Sequence, residues 1–154
     1  MSTENEIIVN NLQYFTFFND ASLDAHFRAA IPMHYVRRGL SKECYLVEQT
    51  LGGFNFIIVL TGPKFNDYAS DYLKKDGLGD ADYLERKMAF FSRVRHQELS
   101  STKPRISFDI EMREHLRLVS PSSMLAFVGA GDIVMIWRLE DYKAWWNSKR
   151  GKIG

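Results

Sequence analysis

Leu23-Asp24-Ala25-His26-Phe27-Arg28-Ala29-Ala30-Ile31-Pro32 is the stretch on which the reading of this chain turns. It sets an aspartate, three residues and an arginine ahead of a short strand-like run that ends at a proline. An aspartate near a loop's start can accept bonds from that loop's amides, or from the arginine, and so fix the turn. The arginine at the loop's end then points a planar fork outward. Taken alone, Asp24 with Arg28 reads as a surface ion pair contributing about 0–1 kcal/mol. Its weight comes from recurrence.

Working outward, Arg28-Ala-Ala-Ile-Pro-Met-His-Tyr-Val-Arg-Arg lies 77 residues before Arg105-Ile-Ser-Phe-Asp-Ile-Glu-Met-Arg-Glu-His. Each is an arginine, a strand-like stretch and an amphipathic turn with basic residues. Phe56-Ile57-Ile58-Val59 is echoed by Ile133-Val134-Met135-Ile136, and Phe65-Asn66-Asp67-Tyr68 by Leu139-Glu140-Asp141-Tyr142. The last match has slipped to an offset of 74, which implies a shorter connection in the second half. Three elements matched in order point to an internal duplication.

Each half follows the same plan. The runs ending at Val59 and Ile136 are of strand length and rich in β-branched and aromatic residues. Pro63 suits a helix's first turn. That helix is expected to reach about Lys75, with Phe65, Tyr68, Ala69, Tyr72 and Leu73 on one face, and to stop at Gly77 and Gly79. Leu139, Tyr142, Trp145 and Trp146 form the matching face, ending near Lys149 and Arg150. Tyr83, Leu84, Met88, Phe91 and Val94 outline a linking helix, with Arg86, Lys87, Arg93 and Arg95 on its wet side. Residues 1–12 read as a tail or added edge strand, 13–79 as a first half, and 80–154 as the linking helix and second half of one domain. The expected architecture is mixed α+β: a small closed barrel with helices at its edges.

The stretch from Leu23 to Pro32 resembles the signature of the MraZ family of bacterial transcriptional regulators, related to the AbrB-type swapped-hairpin regulators. There Asp-x-x-x-Arg occupies a tight loop once per half. Asp24 and Arg28 match the first copy. Ser101-Thr102-Lys103-Pro104-Arg105 matches the second with serine in the aspartate's place. The resemblance runs from about Tyr14 to Trp146 and implies an AbrB/MraZ-like double-split β-barrel of two pseudo-equivalent halves. It further implies binding to double-stranded DNA at short G-rich direct repeats, in the promoter of a division and cell-wall gene cluster, by a ring of subunits. Arg28 and Arg105 would read bases, Lys103 and His26 would support phosphate contacts, and Asp24 would set the first loop. An arginine fork fits O6 and N7 of guanine, worth about 1–3 kcal/mol of discrimination per good pair. Family loops carry a basic residue and a glycine before the arginine, where this chain has His26 and Phe27. Phenylalanine resists φ > 0, so a different turn is expected. Asp109 stands where a second proline belongs. These departures motivate an alternative: a ring-forming scaffold or protein-interaction module on the same fold that no longer reads DNA.

Composition bounds both readings. The chain has 154 residues, 45% hydrophobic and 14% aromatic, enough for one packed interior. A net charge of +1 gives no global pull toward nucleic acid, so DNA binding needs locally concentrated charge or many copies. The longest apolar runs, such as Phe54 to Leu60, are too short to span a bilayer. Met1 to Glu6 does not read as a signal peptide. The lone Cys44 excludes an internal disulfide and favours a cytoplasmic setting, beside the nucleoid if DNA is bound.

No residue pattern reads as catalytic. His26, His34, His96 and His115 are scattered without metal-ligand spacing. Gly129-Ala130-Gly131-Asp132 lies between strands rather than before a helix. The expectation is no enzyme, cofactor, metal, membrane or small-molecule substrate. Arg37 and Arg38 suit a helix end as well as a phosphate. Trp137, Trp145, Trp146, Phe90 and Phe91 suit packing better than base stacking.

Overall fold

A computed structural model of the chain describes residues 18–74, 79–100 and 102–153, with side chains to 150. The tail or edge strand expected over residues 1–12 lies outside the described residues, as do Lys75, Gly77 and Ser101. The elements are β1 (Phe18–Ser22), β2 (Arg28–Ala30), α1 (Met33–Val36), β3 (Glu43–Leu51), β4 (Phe54–Leu60) and α2 (Gly62–Tyr72), then α3 (Asp80–Phe91). The first six then recur in kind: β5 (Val94–Glu98), β6 (Arg105–Ser107), α4 (Ile110–Leu116), β7 (Met124–Ala130), β8 (Ile133–Arg138) and α5 (Leu139–Ile153). The chain is mixed α+β.

The strands form a six-stranded antiparallel sheet, ordered β1-β7-β8-β4-β3-β5, and a separate β2-β6 ribbon. Exchanging the two passes through the chain leaves this pairing scheme unchanged. Each pass lends its first strand to the other: β1 lies on β7, and β5 lies on β3. The closed barrel expected from sequence is corrected. Among the described residues β1 and β5 are edges that do not meet, because the short β2 and β6 leave the sheet and pair with each other.

Both faces of the sheet are covered, which is why β4 is apolar without alternation: Phe56 through Leu60 are all buried. Toward one face point Leu46, Ile57, Val59, Phe127, Val134 and Ile136, beneath Ala29, Ile106, Tyr35, Met112 and Leu116 from the ribbon, α1 and α4. Toward the other point Val47, Ile58, Leu60, Val128 and Trp137, with Phe65 and Phe90 buried among them and Tyr142 and Trp145 packed alongside. The ribbon and the longer helices thus occupy opposite sides of the sheet.

Two element boundaries differ from expectation. The linking helix α3 ends at Phe91, and the Ser92 hydroxyl donates back to the Ala89 carbonyl at 2.8 Å. Val94 and Arg95 therefore belong to β5, not to the helix. The expected slip of the repeat to 74 is also absent, since α2 and α5 begin 77 residues apart, at Gly62 and Leu139. Phe65 then corresponds to Tyr142, and Tyr68 to Trp145. Shorter strands offset the longer helix of the second pass: α4 has 7 residues against 4 in α1, while β7 has 7 against 9 in β3 and β8 has 6 against 7 in β4.

Candidate functional site

The loop into β2 is organised by Asp24. Its Oδ1 accepts from the backbone amides of His26 at 2.8 Å and Arg28 at 3.0 Å. Its Oδ2 accepts from Arg28 Nε at 2.8 Å. The loop closes on itself, with the Phe27 amide on the Asp24 carbonyl at 3.0 Å and the Asp24 amide on the Arg28 carbonyl at 2.9 Å. Phe27 takes φ 58°, so the turn that favours glycine is made by a phenylalanine, contrary to expectation. Left-handed backbone costs an L-residue roughly 1–2 kcal/mol. Against that, the Phe27 ring packs on the core and lies 4.2 Å from the Arg113 guanidinium. Partial burial pushes the Asp24 carboxyl's pKa up, but bonds from the Arg28 and His26 amides and the Arg28 guanidinium outweigh it and hold the group below its ordinary 3.8.

The ribbon brings the two arginines together. Its register pairs Arg28 with Ser107, Ala29 with Ile106, and Ala30 with Arg105. Alternation turns Ala29 and Ile106, both 0% exposed, toward the core. Arg28 and Arg105 therefore share the outer face as diagonal neighbours. Their side chains are 40% and 38% exposed, and Arg105 Nη1 lies 3.7 Å from the Asp24 Oδ2 that binds Arg28. One carboxylate oxygen thus serves guanidinium groups 77 residues apart in sequence. Among the described residues, both terminal nitrogens of Arg28 lack a protein hydrogen bond.

Lys103 and His26 are exposed beside these arginines, without side-chain partners among the described residues. The second loop lacks an aspartate; instead Ser100 Oγ accepts from the Thr102 amide at 3.3 Å. The backbone bonds flanking the ribbon still match, because Phe27 and Pro104 carbonyls accept from the Phe108 and Ile31 amides, each at 3.0 Å.

The remaining arginines are largely committed to the fold. Arg95 Nε binds Asp109 at 3.0 Å, and Arg95 Nη2 binds Glu111. Asp109, in the expected proline's place, caps α4 by accepting from the Met112 amide at 2.9 Å. Arg117 and Arg138 both hold the buried Asp141. Arg86 reaches the Lys74 carbonyl, Arg93 the Tyr72 hydroxyl, and Arg38 the His34 carbonyl. Sequence reasoning missed the Phe27–Arg113 stack and the sharing of Asp24, for which no local signal exists.

No protein-family model and no curated protein matches the chain. Among the described residues, no group of three His, Cys, Asp or Glu side chains could hold a metal ion. Cys44 is fully buried, and burial pushes its thiol up to about 12. No helix among the described residues is long and apolar enough to cross a membrane. Of the aromatics expected to pack, Phe90 and Trp137 are buried, whereas Phe91 and Trp146 are 48% and 43% exposed.

Proposed function

We propose that this chain is a sequence-specific DNA-binding transcriptional regulator of MraZ type, built on an AbrB/MraZ-like fold of two exchanged halves. The supporting observation is that Arg28 and Arg105 stand together on the outer face of one two-stranded ribbon, against one carboxylate. A B-DNA major groove admits such a ribbon. Asp24 engages Arg28 through Nε, which leaves the two terminal nitrogens as a fork for guanine O6 and N7. Holding the fork before contact reduces the side-chain entropy lost on binding, roughly 0.5–1.5 kcal/mol for a long side chain. Lys103 and His26 flank the fork and serve the phosphates.

The near-neutral charge fits weak binding per copy. A self-associated ring on short G-rich direct repeats gains affinity through avidity rather than through one strongly basic face. On this reading the operator precedes a division and cell-wall gene cluster, and the protein works in the cytoplasm at the nucleoid. The test is a gel-shift titration with the DNA upstream of the gene, comparing wild type with the Arg28→Ala, Arg105→Ala double variant. Retardation lost in the variant supports the reading; equal retardation by both proteins overturns it.

A scaffold that does not read DNA is the second reading. It draws on Ile110 and Val119, 63% and 90% exposed in a depression beside Phe27. It requires assembly without nucleic-acid binding even at low salt, where phosphate contacts are strongest.

A further inference from the structure

Among the described residues, the helices leave one part of their side of the sheet uncovered. In the first pass, α3 runs directly into β5 and lays the fully buried Phe90 against α2. Its ring centroid is 6.2 Å from Phe65, 6.0 Å from Tyr68 and 4.8 Å from Tyr72. The corresponding place in the second pass is a groove of about 540 Å³ between β1, β7 and α5, lined by Phe18, Val128, Tyr142, Lys143, Trp146 and Asn147. Phe18 and Trp146 are each 43% exposed there. Tyr142, which lines the groove, corresponds to Phe65, so the covered surface and the open one share an aromatic ring at this place.

Chain order names the occupant. Just as α3 precedes β5, residues 1–17 precede β1, and Phe18 corresponds to Val94 at a shift of 76. The same shift sets Ile7 and Ile8 against Tyr83 and Leu84, Leu12 against Met88, Tyr14 and Phe15 against Phe90 and Phe91, and Thr16 against Ser92. The apolar spacing of α3 is therefore written a second time, immediately before the strand that borders the open groove.

We propose that residues 4–15 pack into this groove, with Tyr14 against Tyr142, and give the second pass the cover that α3 gives the first. No linker has to be spanned, since Phe18 already lines the groove. A tethered segment holds a large advantage in effective concentration over a second copy or another protein.

The test uses the full chain carrying Tyr14→Cys and Lys149→Cys, the positions matching the Phe90–Tyr72 contact, with a short bis-maleimide at low protein concentration. Cys44 is 0% exposed and stays unreactive. The expected product is an internally cross-linked monomer. A cross-linked dimer would assign the groove to a second copy, and two singly labelled sites without a cross-link would leave the groove open; either overturns the proposal. Should the substitutions disturb folding, hydrogen exchange on the unaltered chain decides instead. Slow exchange across residues 7–15 supports the proposal, and exchange at the rate of an unstructured peptide rejects it. Tyr14→Ala is further expected to raise acrylamide quenching of tryptophan fluorescence at least twofold; unchanged quenching counts against the contact.

Discussion

In the loop before β2, a carboxylate gathers two backbone amides and the loop's own arginine; in the loop before β6, a serine hydroxyl gathers one amide. The arginine of the second loop leans across to the first loop's carboxylate at 3.7 Å. The flanking backbone bonds are the same in both. Backbone pairing therefore places each arginine, and the side-chain acceptor decides how firmly its fork is aimed. A charged acceptor takes stronger bonds than a neutral one, so Arg28 is the better prepared of the two.

The sharpest way to break this comparison is to remove the arginines singly. On the proposed reading, Arg28→Ala is expected to weaken specific DNA binding about 5- to 150-fold, corresponding to about 1–3 kcal/mol for a bidentate guanine contact. Arg105→Ala should cost less, with the same assay reading both. Equal losses would show that the aspartate aims nothing.

Asp24→Ala comes next, and its sign is informative. Removing a negative charge beside two arginines would by itself strengthen binding to a polyanion. Releasing the loop should weaken it, and we expect a several-fold loss in a fluorescence-anisotropy titration. A gain would reduce Asp24 to a screen. Together with Asp109, the same carboxylate carries a pH signature. Asp24 and Asp109 both have folded pKa values below the ordinary 3.8, with burial opposing and amide and arginine bonds prevailing. Their stabilisation is complete above that ordinary value and is lost as pH falls through the lower folded values. Melting temperature followed from pH 7 to pH 2 should therefore drop less steeply for Asp24→Ala, Asp109→Ala than for wild type.

Smaller effects test the loop frames. At position 27 the expected order of stability is Phe, then Gly, then Ala. Alanine keeps the left-handed strain and loses the ring, whereas glycine loses the ring but relieves about 1 kcal/mol of strain. Thermal melts should separate Gly from Ala by about 2–4 °C. Smallest is Asp109→Ala, which removes the cap of α4 and a partner of Arg95, with an expected loss of about 1 kcal/mol.

Local chemistry was legible in advance. The arginine loops, the central strand runs around Phe56 to Val59 and Ile133 to Ile136, and the helix opened at Pro63 all carry signals within a few residues. Arg95 was misplaced because helix periodicity continues smoothly past Phe91, while the stop depends on one serine hydroxyl and a β-branched Val94. Phe27 was expected to refuse its turn because its support, the ring of contacts including Arg113, lies far along the chain. The open sheet and the exchange of β1 and β5 are long-range pairings without any local mark. That Arg28 and Arg105 share Asp24 follows from those pairings and was equally hidden.

The exchange of first strands also governs how the molecule can form. The site for β1 is not complete until β7 has been made, about a hundred residues later, so neither half can assemble ahead of the other. Synthesis from the ribosome must leave the first strand waiting without its neighbour until β7 has emerged. Fragments cut between α2 and α3 should each be unfolded alone and refold only when mixed, as an obligate pair.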